Sequence, residues 1–413
     1  MIDMNNSDLK KLISKQKLNY PLDQEFYVND HIVDLDIKNI FSKQWVFVGH
    51  TSRIPNHGDY FLFNIAKESI IIVRDKDNLI HAHYNVCRHR GSQICLENEG
   101  NSKALICPYH AWTYNLDGSL RGARLMEKNF DKDQWSLNKC NLKIFEGLIF
   151  INLSDEPNNF DEFIAPTKKF IEFHGLSNAK IAHRQYYPTN GNWKLTLDNF
   201  HECYHCQPSH PEYCQVHDKD YIIAYGAGNN TGPASEKFEK ILTEWNKKVK
   251  KMGHVTGEYS ETEFNDYSRS AERTPLKEGM FTETKSGKPA SKLMGKFTDY
   301  DCGYTSVGTS PFNSLLMCND FATLFTFIPI SPLYTQVELT WLVHKDAEEG
   351  KDYNIEEMKW MWDVTTIADK RIIEDNQKGV LSKKYVPGPL SLMEKGLDKF
   401  KTWYLRHLEN SLT

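Results

Sequence analysis

Between about residues 40 and 155, short apolar or alternating runs are separated by polar turns. The turns contain Lys76-Asp77-Asn78 and Asp117-Gly118, and the runs include WVFVGHTSRIP, DYFLFNIA, ESIIIVRDKD and LKIFEGLIFINL. Alternation with a period of two is typical of strands, and Gly, Asn and Asp favour the turns between strands. The pattern predicts a compact all-β domain at residues 41–155, with DEPNNFDEF as its exit linker.

The rest of the chain mixes helical and strand patterns. Apolar residues at helical spacing predict helices in PTKKFIEFHG, NWKLTLDNFHECYHC, NIEEMKWMWDVTTIADKRIIEDNQKG and LMEKGLDKFKTWYLRHLEN. Strands are predicted in IAHRQYYPT, FATLFTFIPI and TQVELTWLVHKD. We therefore expect a second domain at residues 156–413.

Two further segments have weaker patterns. Residues 1–40 combine two short helical patterns with FYVNDHIVD, which we interpret as an extended piece, and we expect this N-terminal helical segment to pack on the second domain. Residues from about 226 to 300 are polar and rich in Gly and Lys, with little periodicity, which predicts a mobile insertion.

Composition excludes several classes of protein. The chain has 413 residues, a net charge of -5 and 40% hydrophobic residues, which is typical of a globular protein. Basic blocks interleaved with aromatic residues are absent, so we expect no nucleic-acid partner. We see neither a signal peptide nor a run of about 20 apolar residues, so we expect a cytoplasmic protein that does not enter a membrane. Nine cysteines, an odd number, argue against a disulfide framework and leave some as candidate ligands.

The β domain contains two Cys/His pairs, Cys87 with His89 and Cys107 with His110, within NVCRHRGSQICLENEGNSKALICPYHAW. Two thiolates and two imidazoles match a Rieske [2Fe-2S] centre, in which the thiolates hold one iron and the imidazoles the other. A Cys2His2 zinc site is the alternative, but zinc fingers place the two histidines on a helix. The mixed pairs and the β pattern between them favour the cluster.

The stretch HECYHCQPSH, residues 201–210, allows several metal sites. Its first five residues fit the H-E-x-x-H pattern of a zinc protease, with His201 and His205 as ligands. A zinc knuckle can be drawn from Cys203, Cys206, His210 and Cys214. An iron site is a third possibility, because a one-electron centre such as the cluster requires an electron acceptor.

At these motifs the sequence resembles the oxygenase (α) subunits of Rieske non-haem iron ring-hydroxylating oxygenases. The resemblance rests on C-R-H-R-G from Cys87, C-P-Y-H-x-W from Cys107, and N-W-K from Asn192 followed by a histidine pair at the end of an acidic helix. It implies an α+β fold, in which an N-terminal all-β Rieske domain precedes a catalytic domain with an antiparallel sheet flanked by helices, of the helix-grip type.

The resemblance also implies the ligands of a mononuclear Fe(II). They are His205, His210 and, in the family pattern D-x(7)-Q-x-G, Asp369, with Glu374 and Asp375 as rival carboxylates. Two residues five apart point about 140° away from each other on a helix. Both histidines therefore reach one metal only if the helix ends between them, and Pro208 is the expected stop.

Three neighbouring residues receive roles from the same resemblance. Glu202, where many members have Asp, is expected to hydrogen-bond His205 and to reach towards His110 of a neighbouring chain, so that electrons pass between subunits. Asp198 and Asn199 are expected to hold the iron helix in place or to control oxygen entry.

The implied function is that of a terminal oxygenase component. Electrons originating in NAD(P)H would come from a separate flavin or ferredoxin-type reductase and pass through the cluster to the iron, which uses O2 to hydroxylate a small-molecule substrate. The runs NFHECYHCQPSHPEY and PGPLSLMEKGLDKFKTWY resemble the quaternary ammonium branch, which includes glycine betaine, stachydrine and carnitine oxygenases. An aromatic ring dioxygenase and a Rieske electron carrier without oxygenase activity are the alternatives. We expect a homotrimer.

A quaternary ammonium substrate also predicts an aromatic box, since aromatic faces attract such cations. The candidates in the second domain are Tyr304, Phe312, Phe321, Phe325 and Phe327.

Overall fold

The computed structural model describes residues 5–225, 232–261 and 267–412 of the chain. The chain divides into two compact units. The small unit is Trp45–Pro157, and the large unit combines Met1–Gln44 with Asn158–Thr413. All nine cysteines are free. Within the described residues, no helix combines the length and the apolar character that crossing a membrane requires.

The small unit contains antiparallel strands in three sheets, with the orders β1-β10-β9, β4-β3-β2-β5 and β6-β7-β8. The strands are β1 (Val46–His50), β2 (Asp59–Ile65), β3 (Glu68–Arg74), β4 (Ile80–Tyr84), β5 (Glu99–Asn101), β6 (Leu105–Ile106), β7 (Thr113–Tyr114), β8 (Leu120–Gly122), β9 (Asn141–Phe145) and β10 (Leu148–Asn152). The turn at Asp117-Gly118 forms as expected, since the Asp117 carboxylate accepts the N–H of Ser119 at 2.9 Å and Gly118 has a φ of +89°.

The large unit is built on one antiparallel sheet with the order β11-β17-β16-β15-β14-β13-β12. Its strands are β11 (Ala179–Thr189), β12 (Gly257–Ser260), β13 (Ser270–Pro275), β14 (Gly303–Ser310), β15 (Asn313–Met317), β16 (Phe321–Ser331) and β17 (Tyr334–His344). Strands β16 and β17 are almost wholly buried, because helices cover the sheet.

The helices of the large unit come from three parts of the chain. They are α1 (Asn6–Ser14), α2 (Glu25–Val28), α3 (Asp30–Asn39), α4 (Phe160–Ile164), α5 (Lys168–His174), α6 (Trp193–Phe200), α7 (Cys206–Ser209), α8 (Pro211–Val216), α9 (Pro233–Lys251), α10 (Ile355–Val380) and α11 (Lys395–Asn410). Helix α10 packs on β11 and α6, and α6 packs on β16 and β17. This antiparallel sheet flanked by helices confirms the predicted fold class.

The prediction of an extended piece at FYVNDHIVD is wrong. These residues form the end of α2 and the beginning of α3. The side chain of Asn29 accepts the N–H groups of His31 and Ile32 at 3.0 and 3.4 Å, which makes Asn29 the N-cap of α3. The apolar residues whose spacing indicated an alternating strand therefore belong to two short helices joined at this cap.

The segment 226–300 holds more regular structure than its polar composition indicated. Its described residues include α9, β12 and β13, and the two strands extend the large sheet. Helix α9 buries Phe238, Trp245 and Val249, an apolar stripe that the many surrounding lysines obscure. Residues 226–231 and 262–266 of the predicted mobile insertion lie outside the described residues.

Candidate metal centres and the adjoining cavity

The first set of candidate ligands lies on two loops of the small unit, after β4 and after β6. Cys87 and Cys107 are each 2% exposed, whereas His89 and His110 are exposed. The two thiols are hydrogen-bond neighbours, and the ring centroids of the two histidines are 4.7 Å apart. The loops therefore present a buried pair of sulfur donors and an exposed pair of imidazole donors.

The two loops share one backbone conformation. The N–H of Gly91 donates to the carbonyl of Cys87, and the N–H of Ala111 donates to the carbonyl of Cys107, both at 3.0 Å. Gly91 and Ala111 have positive φ angles of +78° and +58°. A left-handed residue four positions after each cysteine closes both loops into the same kind of tight turn.

The donor set fits a [2Fe-2S] cluster better than a single zinc ion. The donor atoms of a single-ion site all lie close to one another. Among the described residues, the donor atoms of Cys87, His89, Cys107 and His110 do not all lie within 4.8 Å of one another. A cluster separates its thiolate pair from its imidazole pair by two irons, whereas structural zinc draws four ligands around one ion.

The second set of candidate ligands lies in the large unit, where the segment after α6 meets α10. Nε2 of His210 is 2.8 Å from Oδ1 of Asp369, and Nε2 of His205 is 3.3 Å from the same oxygen. The donor atoms of these three residues all lie within 4.8 Å of one another. Two imidazoles and one carboxylate thus converge on one point, which is the donor set of non-haem Fe(II) oxygenases.

Pro208 does not end the helix as predicted. It lies in the first turn of α7, where N–H groups need no helical acceptor, and α7 continues one residue past it. The helical structure is interrupted after Phe200, where α6 ends, and again at His210, after which Pro211 begins α8. Because His205 and His210 flank the single turn of α7, both side chains reach Asp369.

His201 lies outside this group. Helix α6 ends one residue before it, so His201 and His205 are not one turn apart on a helix, as the H-E-x-x-H zinc site requires. Burial lowers the pKa of His201 to about 4. In the part of the chain that the structure describes, no set of donors around one ion includes the cysteines of the zinc knuckle.

Each candidate iron histidine has a carboxylate on its other ring nitrogen. Glu202 contacts Nδ1 of His205, and Glu212 lies 3.2 Å from Nδ1 of His210. Thr365 of α10 donates to Glu212 at 3.0 Å. A carboxylate on Nδ1 places the proton there and leaves Nε2 free to bind a metal. Sequence reasoning missed Glu212, although its position directly after His210-Pro211 was visible.

The rival carboxylates point elsewhere. Glu374 pairs with Lys370 at 2.7 Å, and Asp375 is exposed and pairs with Lys378 at 3.0 Å. Burial raises the pKa of Asp369, but its hydrogen bonds with the two histidines outweigh burial and lower this pKa below its ordinary value. Asp369 is therefore held as the anion that a metal needs.

Asp198 and Asn199 occupy different surroundings. Nδ2 of Asn199 lies 3.4 Å from Nε2 of His205, so Asn199 borders the metal site. Asp198 accepts a hydrogen bond from the Tyr27 hydroxyl at 3.1 Å, which links α6 to α2. Burial raises the pKa of Asp198 to about 7.

The N-W-K motif anchors the start of α6. The side chain of Asn192 accepts the N–H of Lys194 at 3.0 Å, and Gln377 of α10 accepts the N–H of Asn192 at 2.8 Å. Lys194 forms a fully buried ion pair with Asp36 of α3, and Tyr404 of α11 donates to Asp36 at 2.9 Å. The helix that leads to the metal site is thus tied to three other helices.

We expect Lys194→Met to lower the free energy of unfolding by ~3–5 kcal/mol, because it leaves the Asp36 carboxylate buried without its partner. Chemical denaturation followed by circular dichroism measures the change. Lys11→Met, which removes the exposed pair with Asp8 in α1, is the matched control and should change stability by less than about 1 kcal/mol. Equal effects of the two substitutions would contradict the structural role of the buried pair.

A cavity of about 260 Å³ opens beside His205, His210 and Asp369. Its wall includes five large aromatic side chains, and its floor is polar and formed by small residues of β13, β14 and β15. The aromatic side chains are Phe200, Tyr213, Tyr221, Tyr304 and Trp362. Glu272 of β13 is also part of the lining.

Sequence reasoning identified only part of this lining. Of the five aromatic candidates, only Tyr304 lines the cavity. Phe312 packs on Trp193, both Phe325 and Phe327 pack on Phe200, and Phe321 is fully buried in β16. Tyr213, Tyr221, Trp362 and Glu272 were missed, since they come from separate elements. The alternating polar residues of SRSAE and YTSVGTS, which lie on β13 and β14 or next to them, were the available signal.

Comparisons with known proteins identify the family. The family model "Ring hydroxylating alpha subunit (catalytic domain)" matches residues 176–410, and the model "Rieske [2Fe-2S] domain" matches residues 44–145. The chain belongs to the Rieske ring-hydroxylating oxygenase family. The two domain types imply a Rieske cluster in the small unit and a non-haem iron in the large unit. The predicted family and the prediction that the chain is an enzyme are confirmed.

Several relatives are named for quaternary ammonium substrates. The glycine betaine monooxygenase oxygenase subunit of Pseudomonas aeruginosa is 35% identical over 401 residues, 95% of this chain and 90% of the relative. The carnitine monooxygenase oxygenase subunit of Escherichia coli is 39% identical over 196 residues, 46% of this chain and 51% of the relative. Benzene 1,2-dioxygenase subunit alpha of Pseudomonas putida is 31% identical over 187 residues, 43% of this chain and 41% of the relative.

A solved structure of a quaternary ammonium Rieske monooxygenase with a bound inhibitor has a TM-score of 0.71. It is 21% identical in sequence, and the match covers 96% of this chain and 98% of that one. At this identity the likeness demonstrates a shared fold.

Proposed function

We propose that this chain is the terminal oxygenase of a quaternary ammonium monooxygenase and hydroxylates an N-methyl group or an adjacent carbon of its substrate. The observation that carries the proposal is the aromatic cavity beside His205, His210 and Asp369. Aromatic faces bind quaternary ammonium groups through cation–π attraction. The glycine betaine and carnitine relatives support the same substrate class.

When bound, the cluster would supply single electrons, and the iron, held by His205, His210 and Asp369, would use O2 to oxidise a C–H bond. Cys87, His89, Cys107 and His110 are the proposed cluster ligands. Hydroxylation of an N-methyl group gives a carbinolamine, which breaks down to formaldehyde and the demethylated amine.

The neighbouring residues orient the site. Glu202 and Glu212 hold the imidazoles of His205 and His210 with Nε2 towards Asp369. We propose that Glu202 also connects His205 to His110 of a second copy of the chain, which would carry electrons between subunits of a homotrimer. Asn199 borders the site and would limit access of small molecules to the iron.

A separate reductase that draws electrons from NAD(P)H is part of the proposal. Arg88 and Arg90 flank His89 and would offer positive charge to an acidic partner protein. A cytoplasmic location and the absence of a nucleic-acid partner stay predictions from the sequence.

The second candidate function is aromatic ring dioxygenation, which the benzene dioxygenase relative supports. Its match covers 43% of this chain, against 95% for the glycine betaine relative, and an aromatic hydrocarbon has no positive charge for the carboxylate Glu272 to attract. The electron-carrier alternative gives no role to the convergence of His205, His210 and Asp369. The monooxygenase proposal therefore accounts for more of the site.

With a compatible reductase and NADH, we expect glycine betaine or carnitine to stimulate O2 uptake. Hydroxylation of an N-methyl group should release formaldehyde in step with it, and hydroxylation of the adjacent carbon should release trimethylamine. Benzoate and naphthalene should release neither, because they have no trimethylammonium group. An oxygen electrode with assays for formaldehyde and trimethylamine makes the comparison, with Asp369→Ala as the inactive control. Hydroxylated aromatic products without formaldehyde would favour the dioxygenase, and electron uptake without O2 consumption would favour the carrier.

A further inference from the structure

The floor of the cavity is one face of the large sheet. Ser270 and Glu272 of β13 pair with Gly308 and Ser306 of β14, and all four line the cavity. Alternate residues of a strand point to the same face, so the residues between them point away. Ala271, for example, is 2% exposed. The strand register thus fixes which polar residues face a bound molecule.

Glu272 is the acidic residue of this floor. Its Oε1 accepts a hydrogen bond from the Tyr221 hydroxyl at 2.8 Å. No basic side chain of the described chain forms an ion pair with it. Burial raises the pKa of Glu272 to about 7, and the nearby charge of Glu258 adds to the increase. The carboxylate is half-buried and has no cationic partner among the described residues. This state is unfavourable for a charged group, and a bound cation would stabilise it.

The charges of the other lining residues also favour binding of a cation. Neither Lys nor Arg occurs among the described residues that line it. The other two lining carboxylates, Glu202 and Asp369, are already engaged by histidines. The ring of Tyr213 lies 6.0 Å from that of Trp362, and both face the same cavity as Tyr221.

A quaternary ammonium group has no N–H to donate, so hydrogen bonds to nitrogen cannot select it. Selection must come from its charge and from contact with aromatic faces. Glu272 supplies charge, and the Tyr221 hydroxyl holds the carboxylate in one orientation at the end of the aromatic wall.

We propose that Glu272 is the cation-selecting residue of the cavity and, with Tyr213, Tyr221 and Trp362, binds the trimethylammonium group of the substrate. This inference rests on the proposed function and deepens it, because it assigns the substrate's positive charge to a named carboxylate.

The test compares cations with neutral groups of the same shape. Holoenzyme loaded with both metal centres is titrated anaerobically by calorimetry with choline and glycine betaine, and with their carbon isosteres 3,3-dimethylbutan-1-ol and 3,3-dimethylbutanoate. Glu272→Gln keeps an acceptor for Tyr221 and removes the charge. We expect it to weaken binding of the two trimethylammonium compounds by about 10-fold to 100-fold and to weaken binding of neither isostere.

Glu258→Gln is the matched control. Glu258 lies directly opposite Glu272 on the neighbouring strand β12 but is exposed and does not line the cavity. At a pH well above 7, where Glu272 is ionised in both proteins, it should leave the Kd values of all four compounds unchanged. Metal content reports folding of each variant. If Glu272→Gln does not fold, Glu272→Asp replaces it and should lose part of the preference, because the carboxylate is withdrawn by one methylene.

The outcomes separate the two proposals. If the wild-type protein prefers the cations and Glu272→Gln retains that preference, Glu272 does not select the cation, whereas the proposed function stands. If the wild-type protein binds none of the four compounds, the proposed substrate class is wrong and the inference falls with it.

Discussion

Replacing Asp369 by Ala is expected to remove the mononuclear iron and to leave the Rieske cluster in place. The carboxylate is the only anionic donor at the convergence point of the described chain, and both histidines contact its Oδ1. Two neutral imidazoles alone hold Fe(II) weakly. Protein purified anaerobically should fall from about three irons per chain to about two, with about two sulfides in both cases.

Asp375→Ala is the matched control for this experiment. Asp375 lies six residues further along α10, carries the same charge, and is exposed beside Lys378. It should keep about three irons per chain. Loss of one iron in Asp375→Ala with full iron in Asp369→Ala would overturn the proposed ligand set, and zinc without sulfide in the wild-type protein would overturn both metal centres.

The three proposed iron ligands could be predicted because their spacing along the chain belongs to a family pattern. The reason for that spacing was not visible in the sequence. Pro208 is an obvious helix breaker, yet it lies in the first turn of α7, where it fits. The helix breaks that matter lie between Phe200 and α7 and at His210. They bring His205 and His210 to Asp369 of α10, which is far away in sequence.

The cavity was harder to predict than the metal sites. Tyr213, Tyr221, Glu272 and Trp362 come from four separate elements, and only Tyr213 lies in a run that carries the family resemblance. Residues of this kind meet only when the register between β13 and β14 and the packing of α10 are known. The same long-range pairing explains the segment 226–300, whose strands are polar because one face of β13 lines the cavity.

The N-terminal segment illustrates a different limit. Asp36 is one of several acidic residues in α3, and its sequence neighbours give no sign that it is buried. Its burial follows from Lys194 and Tyr404, which are distant in the chain. A paired buried charge is thus detectable only after the fold is known.

Replacing Glu202 by Gln is expected to lower coupled turnover by about 100-fold even when the iron site is full. In the proposed function Glu202 both orients His205 and connects it to a second copy of the chain. Glutamine keeps an acceptor for the N–H of Tyr204, so the turn after α6 should persist. The rate at which the reduced cluster is reoxidised by O2 in the presence of substrate, followed by stopped-flow absorbance, measures the loss.

Glu212→Gln separates these two roles of Glu202. Glu212 orients His210 in the same way, but it is 6% exposed and hydrogen-bonded to Thr365, so it faces the interior of its own chain. Both variants should bind iron about 10-fold to 100-fold more weakly, because each loses a charged partner of a ligand histidine. Once iron is saturating, Glu212→Gln should recover cluster reoxidation and Glu202→Gln should not. Equal recovery in both would show that Glu202 only positions His205, and electrons would then need another route to the iron.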